Sequence, residues 1–303
     1  MLLLDIFRYS REGSSCSPSP LPEYPENQKE ESMKKFYMKD GMRVLALYDL
    51  HLKTEPVATP LGWVPDISES VYTVLNFAKD WKPDVTILGG DFLDLDEVSH
   101  WVANNSIRIE GKRLRHNLEL GNLILNKIDE FTRRKKVYIV GNHCARLGWY
   151  LNQHPVLEGM FSLEGCLRLR DRGYEVIPEG GRYKLGKAYF IHGWYTNKYH
   201  ASKTVDVMGE NVFYSHTHDI QVHTKPNADE QPIMGHSLGS LSDLAPHYMR
   251  GRPTKGLHSF GAFYFSRDGS FTPYVPILIN GKFWWNGKLY TPEGVKDALH
   301  KRT

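Results

Sequence analysis

Five short polar clusters in the sequence carry the residue types that bind divalent metals. They are Asp49-Leu50-His51, Gly89-Gly90-Asp91-Phe92-Leu93-Asp94, Gly141-Asn142-His143, Ile191-His192-Gly193 and Ser215-His216-Thr217-His218. Side chains at i and i+2 of a strand share a face, so Asp-x-His and His-x-His can each aim two groups at one point. Imidazole, carboxylate and amide oxygen together suit Zn, Mn or Fe better than Ca, which prefers all-oxygen shells. Three nitrogen-bearing clusters plus two aspartates supply more ligands than one ion uses. The set predicts two divalent ions about 3.5–4 Å apart, with one carboxylate between them.

Each early cluster follows a stretch that reads as a strand. Met42 to Tyr48, Val85 to Leu88 and Val137 to Val140 are short apolar runs of the kind buried in a sheet. Asp66-Ile67-Ser68-Glu69 resembles a capping box opening a helix, with Ile67, Val71, Val74, Leu75 and Ala78 at helical spacing and Pro83 as the stop. A second helix is expected from about Arg113 to Phe131. This βαβαβ alternation predicts an α/β fold with a parallel sheet. Groups at the carboxyl ends of strands form the general site of such sheets. The second half is richer in strands: Ala188 to Ile191, Val212 to Tyr214, Gly261 to Ser266 and Lys282 to Tyr290. Asp268-Gly269 and Asn286-Gly287 are turn signals between the later ones.

Composition sets the frame. The chain has 303 residues, with 38 Lys and Arg against 35 Asp and Glu, a net charge of only +3. That excludes a histone-like protein but not a local basic surface. A 41% hydrophobic and 12% aromatic content is enough for a packed core. Three cysteines, Cys16, Cys144 and Cys166, give no disulfide framework and fit a reducing compartment. No run approaches the ~20 apolar residues of a spanning helix, and Met1-Leu2-Leu3-Leu4 meets Asp5 too soon for a secretory signal. The expectation is a soluble, cytoplasmic protein with no membrane partner. Residues 1–36 are rich in Ser, Pro and Glu and are expected to form a disordered extension. Residues 37–303 are expected to form one domain, with a C-terminal hairpin and tail from about 281.

In their order, the clusters resemble the calcineurin-like metallophosphoesterase superfamily, whose pattern is Asp-x-His, Gly-Asp-x-x-Asp, Gly-Asn-His-Asp/Glu, a lone His, then Gly-His-x-His. The match runs from residue 49 to residue 218. The resemblance implies a four-layer α/β/β/α sandwich with mixed sheets, and two divalent ions drawn from Mn, Zn, Fe or Mg. It implies that Asp49, His51 and His218 hold one ion, that Asn142, His192 and His216 hold the other, and that Asp91 bridges them. A water between the ions would attack phosphorus in line. His143 would protonate or stabilise the leaving oxygen, with Asp94 orienting it. The spacing also resembles metallophosphoesterases encoded by bacteriophages, which would place the protein in a host cytoplasm.

The sequence departs from the family pattern in three places. Cys144 stands where an acidic residue usually follows Gly-Asn-His, and Ser215 stands where a glycine usually precedes His-x-His. Leu95-Asp96 replaces the Arg-Gly of the Ser/Thr protein phosphatases, so their phosphate-gripping arginine is absent there. Arg113, Arg146 and Arg250 are the candidate substrate cations. Residues 108–136 hold nine Lys or Arg and four Asp or Glu. They could track a nucleic-acid backbone, though a solvated helix face is the stronger expectation. Phe283-Trp284-Trp285 with Tyr290 could stack bases, but a hairpin packing on the core is favoured. Of the 14 histidines, nine outside the clusters, His200 and His236 among them, are read as surface or core residues. Asp96 and Glu97 are read as solvated loop or cap residues. Cys144 is read as a packed thiol rather than a ligand. The preferred function is a phosphodiesterase or nuclease. The alternatives are a phosphomonoesterase acting on nucleotides or proteins, and a non-catalytic metal- or nucleic-acid-binding protein. The oligomeric state is left open.

Overall fold

The computed structural model describes residues 37–58, 61–100, 109–227, 231–244 and 253–296. Chain contacts separate Met1–Tyr37 from Met38–Thr303. The expected extension, residues 1–36, lies outside the described residues, and every element below belongs to the second unit. Among the described residues, no helix is long and apolar enough to cross a membrane.

The first half is β1 (Met42–Leu47), β2 (Lys53–Pro56), β3 (Trp63–Asp66), α1 (Glu69–Trp81), β4 (Val85–Leu88), α2 (Leu114–Phe131), β5 (Lys135–Ile139), α3 (Asn142–Gln153), α4 (Leu163–Cys166) and β6 (Tyr174–Ile177). The second half is β7 (Tyr183–Leu185), β8 (Ala188–Phe190), α5 (His200–Met208), β9 (Asn211–Tyr214), β10 (Ile220–Lys225), β11 (Ile233–Leu238), β12 (Gly261–Phe265), β13 (Phe271–Tyr274), β14 (Phe283–Trp285) and β15 (Lys288–Tyr290).

Two mixed sheets result, where the βαβαβ pattern alone predicts a parallel one. The six-stranded sheet has the order β13-β12-β1-β4-β5-β6; β1, β4, β5 and β6 run parallel, and β12 and β13 add on antiparallel. The five-stranded sheet has the order β10-β11-β9-β8-β7, parallel from β8 through β9 to β11 and antiparallel at both edges.

Alternation along the strands builds the layers. Leu45, Leu47, Leu88 and Tyr138 join one core with Val71, Val74 and Leu75 of α1 and Leu120, Ile124 and Ile128 of α2. Residues between them, such as Ala46 and Ile87, are fully buried as well. They occupy the opposite face of the same strands. On that face Phe263 of β12 meets Phe190 of β8 and Phe213 of β9, with ring centroids 5.4 and 4.7 Å apart. The helix α5 covers the far side of the second sheet, against β9, β10 and β11. The order is helix, sheet, sheet, helix, as the resemblance implied.

The capping-box expectation misplaces the start of α1. Ser68 is the cap, its hydroxyl accepting from the Ser70 amide, while Asp66 is drawn into β3 opposite Lys53. The helix ends as expected: Lys82 takes φ 50° just before Pro83, whose ring disfavours helix in the residue ahead of it. The C-terminal hairpin β14–β15 turns on Asn286 and Gly287, both at positive φ (46° and 76°), as a type I′ turn requires. Phe283, Trp285 and Tyr290 pack on Phe77 of α1, and Trp284 points outward, 68% exposed. The bulk of this aromatic group is therefore core.

His236 on β11 shows a cost of burial. Its Nδ1 is enclosed without a hydrogen-bond partner, and burial pulls the imidazole down to about 4. The unfolded chain, with an ordinary histidine near ~6.5, takes up this proton first as pH falls. The contribution to stability is full above that value and is lost as pH falls toward 4. Denaturant midpoints should therefore drop less between pH 7 and pH 5 in His236→Gln than in the unmutated protein. Equal drops would mean that His236 does not titrate in this way.

Candidate metal centre

The five clusters meet at the carboxyl ends of five strands, three from one sheet and two from the other. Asp49 and His51 follow β1, Asp91 and Asp94 follow β4, and Asn142 and His143 open α3 just after β5. His192 follows β8, and His216 and His218 follow β9. Two glycines allow the close approach. A Cβ on Gly90, whose φ is +113°, would land on the His192 ring, and one on Gly141 would strike the Asp91 carboxylate. Five site residues, Asp49, His51, Asp91, His216 and His218, themselves sit at positive φ, between 44° and 71°.

The described side chains form three groups whose ligand atoms lie within 4.8 Å of one another: Asp49–His51–His218, Asp91–His192–His216, and a third, His51–Asp94–His143, that shares His51 with the first. Asn142 joins the second, its Oδ1 3.0 Å from His192 Nε2. Asp91 stands between the first two groups: Oδ2 is 3.3 Å from His192 Nε2 and 3.8 Å from His51 Nε2. Its Oδ1 accepts from the His143 amide at 2.8 Å. Burial alone would raise the Asp91 pKa, but the charge and hydrogen bond of His192, and then the charge of His51, outweigh it and hold the carboxyl well below the usual range. Burial likewise opposes charge on His192, but Asp91 wins and lifts it to about 9.

Two observations fit divalent ions at this place. Asp49 Oδ1 is buried without a hydrogen-bond partner, although its other oxygen accepts from the His216 amide at 2.9 Å. Buried carboxylate oxygens are rarely left unsatisfied. His51 Nε2 and His218 Nε2 face each other at 3.3 Å, and Asp49 Oδ1 lies 3.9 and 3.8 Å from them. A cation among these three atoms would satisfy all of them.

Beside the first two groups lies an acid–imidazole dyad. Asp94 Oδ1 is 2.7 Å from His143 Nδ1 and 3.2 Å from His51 Nδ1. One carboxylate oxygen thus orients both rings. Burial would raise the Asp94 pKa, but these two imidazoles hold it well below the usual range. Arg146 is not a free phosphate clamp. It is 8% exposed and donates to the Asp94 carbonyl, to Asp96 Oδ1 at 3.0 Å and to His143 Nε2 at 3.0 Å. A guanidinium only donates, so His143 Nε2 accepts here and Nδ1 carries the proton toward Asp94. Arg113 is the residue ahead of α2 and makes no side-chain cap bond; its guanidinium donates to the Lys112 carbonyl, and it is not among the described residues lining the site pocket. Arg250 lies outside the described residues.

Several supporting residues were missed from sequence. Asp96 anchors Arg146, and Glu97 accepts two hydrogen bonds from Asn117, so neither is simply solvated. His200 lies buried behind the His216-x-His218 loop, 2.6 Å from the Tyr214 hydroxyl and 3.0 Å from Asp219. No spacing in the sequence signals that contact. Ser215 ties its loop down by donating to the Gly239 carbonyl.

Cys144 is a packed thiol, hydrogen-bonded with the Tyr138 hydroxyl at 3.2 Å and lying 3.4 Å from the Leu93 amide. Burial first, and then the nearby Asp91, push it up to about 12. The thiolate is the reactive form, so iodoacetamide at pH 8 should leave Cys144 unmodified in the folded protein. Peptide mapping that finds it alkylated at the rate of an exposed thiol would refute this placement.

No family model matches the chain, and no curated protein matches it by sequence. Among solved structures it is similar to Chaetomium thermophilum Vps29, at 11% identity and a TM-score of 0.43, over 83% of this chain and 99% of that one. It is similar to a 5'-nucleotidase precursor from Thermus thermophilus, at 11% identity and a TM-score of 0.36, over 86% of this chain and 58% of that one. TT1561 of the same organism aligns at 9% identity and a TM-score of 0.33, over 77% and 98% of the two chains.

Proposed function

We propose that the chain is a metal-dependent hydrolase of phosphate esters. Asp49, His51 and His218 hold one divalent ion, Asn142, His192 and His216 hold a second, and Asp91 serves both. The observation that carries this is the unpartnered Asp49 Oδ1 beside the 3.3 Å pair of facing histidine nitrogens. Divalent ions bound there would neutralise phosphoryl charge and lower the pKa of water.

The remaining work falls to the chain itself. Asp94 fixes the His143 ring through Nδ1 and leaves Nε2 as the atom that can serve a leaving oxygen. Arg146 occupies that nitrogen in the resting arrangement. Substrate must draw the guanidinium aside before His143 can carry a proton there. The charge of Arg146 stays beside the developing negative charge in either position. A scaffold that only binds a partner needs neither the His143–Asp94 dyad nor a buried Arg146 on it, which favours catalysis over the non-catalytic alternative.

For the ester, a phosphodiester is favoured because Leu95-Asp96 stands where a phosphate-gripping Arg-Gly is absent. For the nucleic-acid form of that proposal, the four lysines among the nine basic residues in 108–136 are engaged in ion pairs. Lys112 pairs with Glu55, Lys127 with Glu130, Lys135 with Glu175 and Lys136 with Asp129. Residues 133–136 also enter β5 at the end away from the site. Hydrolysis of nitrophenyl phosphate, bis-nitrophenyl phosphate, and single-stranded and duplex DNA should be compared across Mn, Zn, Mg and Fe, with a chelator control. The diester should be the best substrate, and chelation should abolish its turnover. Failure to hydrolyse any of them with any metal would sink the proposal.

A further inference from the structure

A small pocket of about 90 Å³ opens over this centre, walled on the site side by His51, Asp94, His143 and His218. Among the described residues that line it, Lys53 is the one Lys or Arg. The β2–β3 hairpin brings it there: Lys53 and Asp66 are cross-strand partners, and the ammonium lies 3.2 Å from the Asp66 carboxylate with its side chain 26% exposed. The hairpin thus places the head group at the pocket wall. A partly exposed Lys–Asp pair adds little to stability. What distinguishes this one is that its cation faces the space in front of His143. Of the arginines singled out from sequence, the two among the described residues are engaged elsewhere, Arg146 with His143 and Asp96, and Arg113 with a backbone carbonyl.

We propose that Lys53 is the substrate-binding cation of this centre, its ammonium taking an anionic phosphoryl oxygen of the bound ester. This rests on the phosphoesterase proposal above. Lys53 would recognise the group common to all phosphate esters. It should set affinity rather than choose the leaving group.

The test is calorimetric titration of the full-length, Mn-loaded protein with inorganic phosphate, beside steady-state kinetics on both nitrophenyl esters. In Lys53→Met, phosphate affinity should fall, and KM should rise, by about tenfold or more, the loss of one charge-assisted hydrogen bond. The fall in kcat should be smaller. Lys53→Arg should restore most of the affinity. Asp66→Asn removes the ion pair but keeps the cation, and should leave phosphate affinity within about twofold. Lys53→Gln provides a second neutral side chain should Lys53→Met fail to fold. Unchanged phosphate affinity in the neutral variants would overturn the assignment, as would an equal loss in Asp66→Asn, which would mark a role in the hairpin alone. If the neutral variants behave as the unmutated protein while His143→Ala is inactive, the Lys53 assignment fails and the hydrolase stands. If no ester is cleaved, phosphate binding still decides the role of Lys53. If the Mn-loaded protein binds no phosphate, both proposals fall together.

Discussion

His143→Ala is expected to lower turnover by about 10²–10⁴-fold, the usual contribution of a positioned general acid, while metal content stays at the level of the unmutated protein. His143 contributes no atom to Asp49–His51–His218 or Asp91–His192–His216; the group it does join, His51–Asp94–His143, is the one in which Asp94 orients both rings. Its tie to that centre is through the backbone, since its amide donates to Asp91 Oδ1, and alanine preserves this bond. What the substitution removes is the imidazole held by Asp94 at 2.7 Å and by Arg146 at 3.0 Å. Turnover and metal per chain must be measured on the same preparation. Retained turnover would remove His143 from the chemistry, and lost metal would make it structural. Asp94→Asn should behave differently, because the same oxygen also orients His51. Its loss of activity should come with weaker metal retention, by about 10–100-fold for a partner that orients a ligand.

Asp91→Asn is expected to lose metal and activity together. The carboxylate is buried between the two groups, facing His51 and His192 at once. Removing its charge leaves both groups with an amide where an anion stood. Metal binding should show as thermal stabilisation of the unmutated protein, since a ligand at a hundred times its Kd adds about 2.7 kcal/mol. Added Mn should raise the melting temperature of the unmutated protein and leave that of Asp91→Asn unchanged. An equal rise in both would show that Asp91 is not a ligand. A melting temperature lowered even without metal would be no surprise, because the His192 charge would then lose its main partner.

The strands that carry the site were legible because they are buried on both faces and so read as apolar runs: β1 and β4 are almost wholly inside, and β5 is buried from Val137 to Ile139. The strands β12 and β13 lie far along the chain and add antiparallel edges, so the mixed character of the sheet could not be read locally. The helix α3 went unseen because only Cys144, Arg146 and Leu147 of its residues are buried, too thin a stripe to show a period. The hairpin β2–β3 contains Pro56 and Pro65, which argue against a strand inside a wide sheet but are tolerated in a two-stranded ribbon. The strand β10 exposes four of its six residues, which erases the alternation.

In the site, the nine residues from Asp49 to His218 expected as ligands or as the dyad were recognisable by type, and the fold gathers them. The engagement of Arg146 and the reach of Lys53 were not, since each depends on an element that sequence periodicity did not reveal.

The five site residues at positive φ carry a further consequence. Non-glycine residues in that region cost about 1 kcal/mol or more each, and small domains keep only roughly 5–15 kcal/mol of net stability. Aspartate and histidine are not chosen at Asp49, His51, Asp91, His216 and His218 for the comfort of the backbone. Selection for heat resistance alone, with no demand for turnover, should therefore strip the centre before it touches the core. Glycine or asparagine should accumulate at these five positions, and the survivors should be more durable and unable to hold metal.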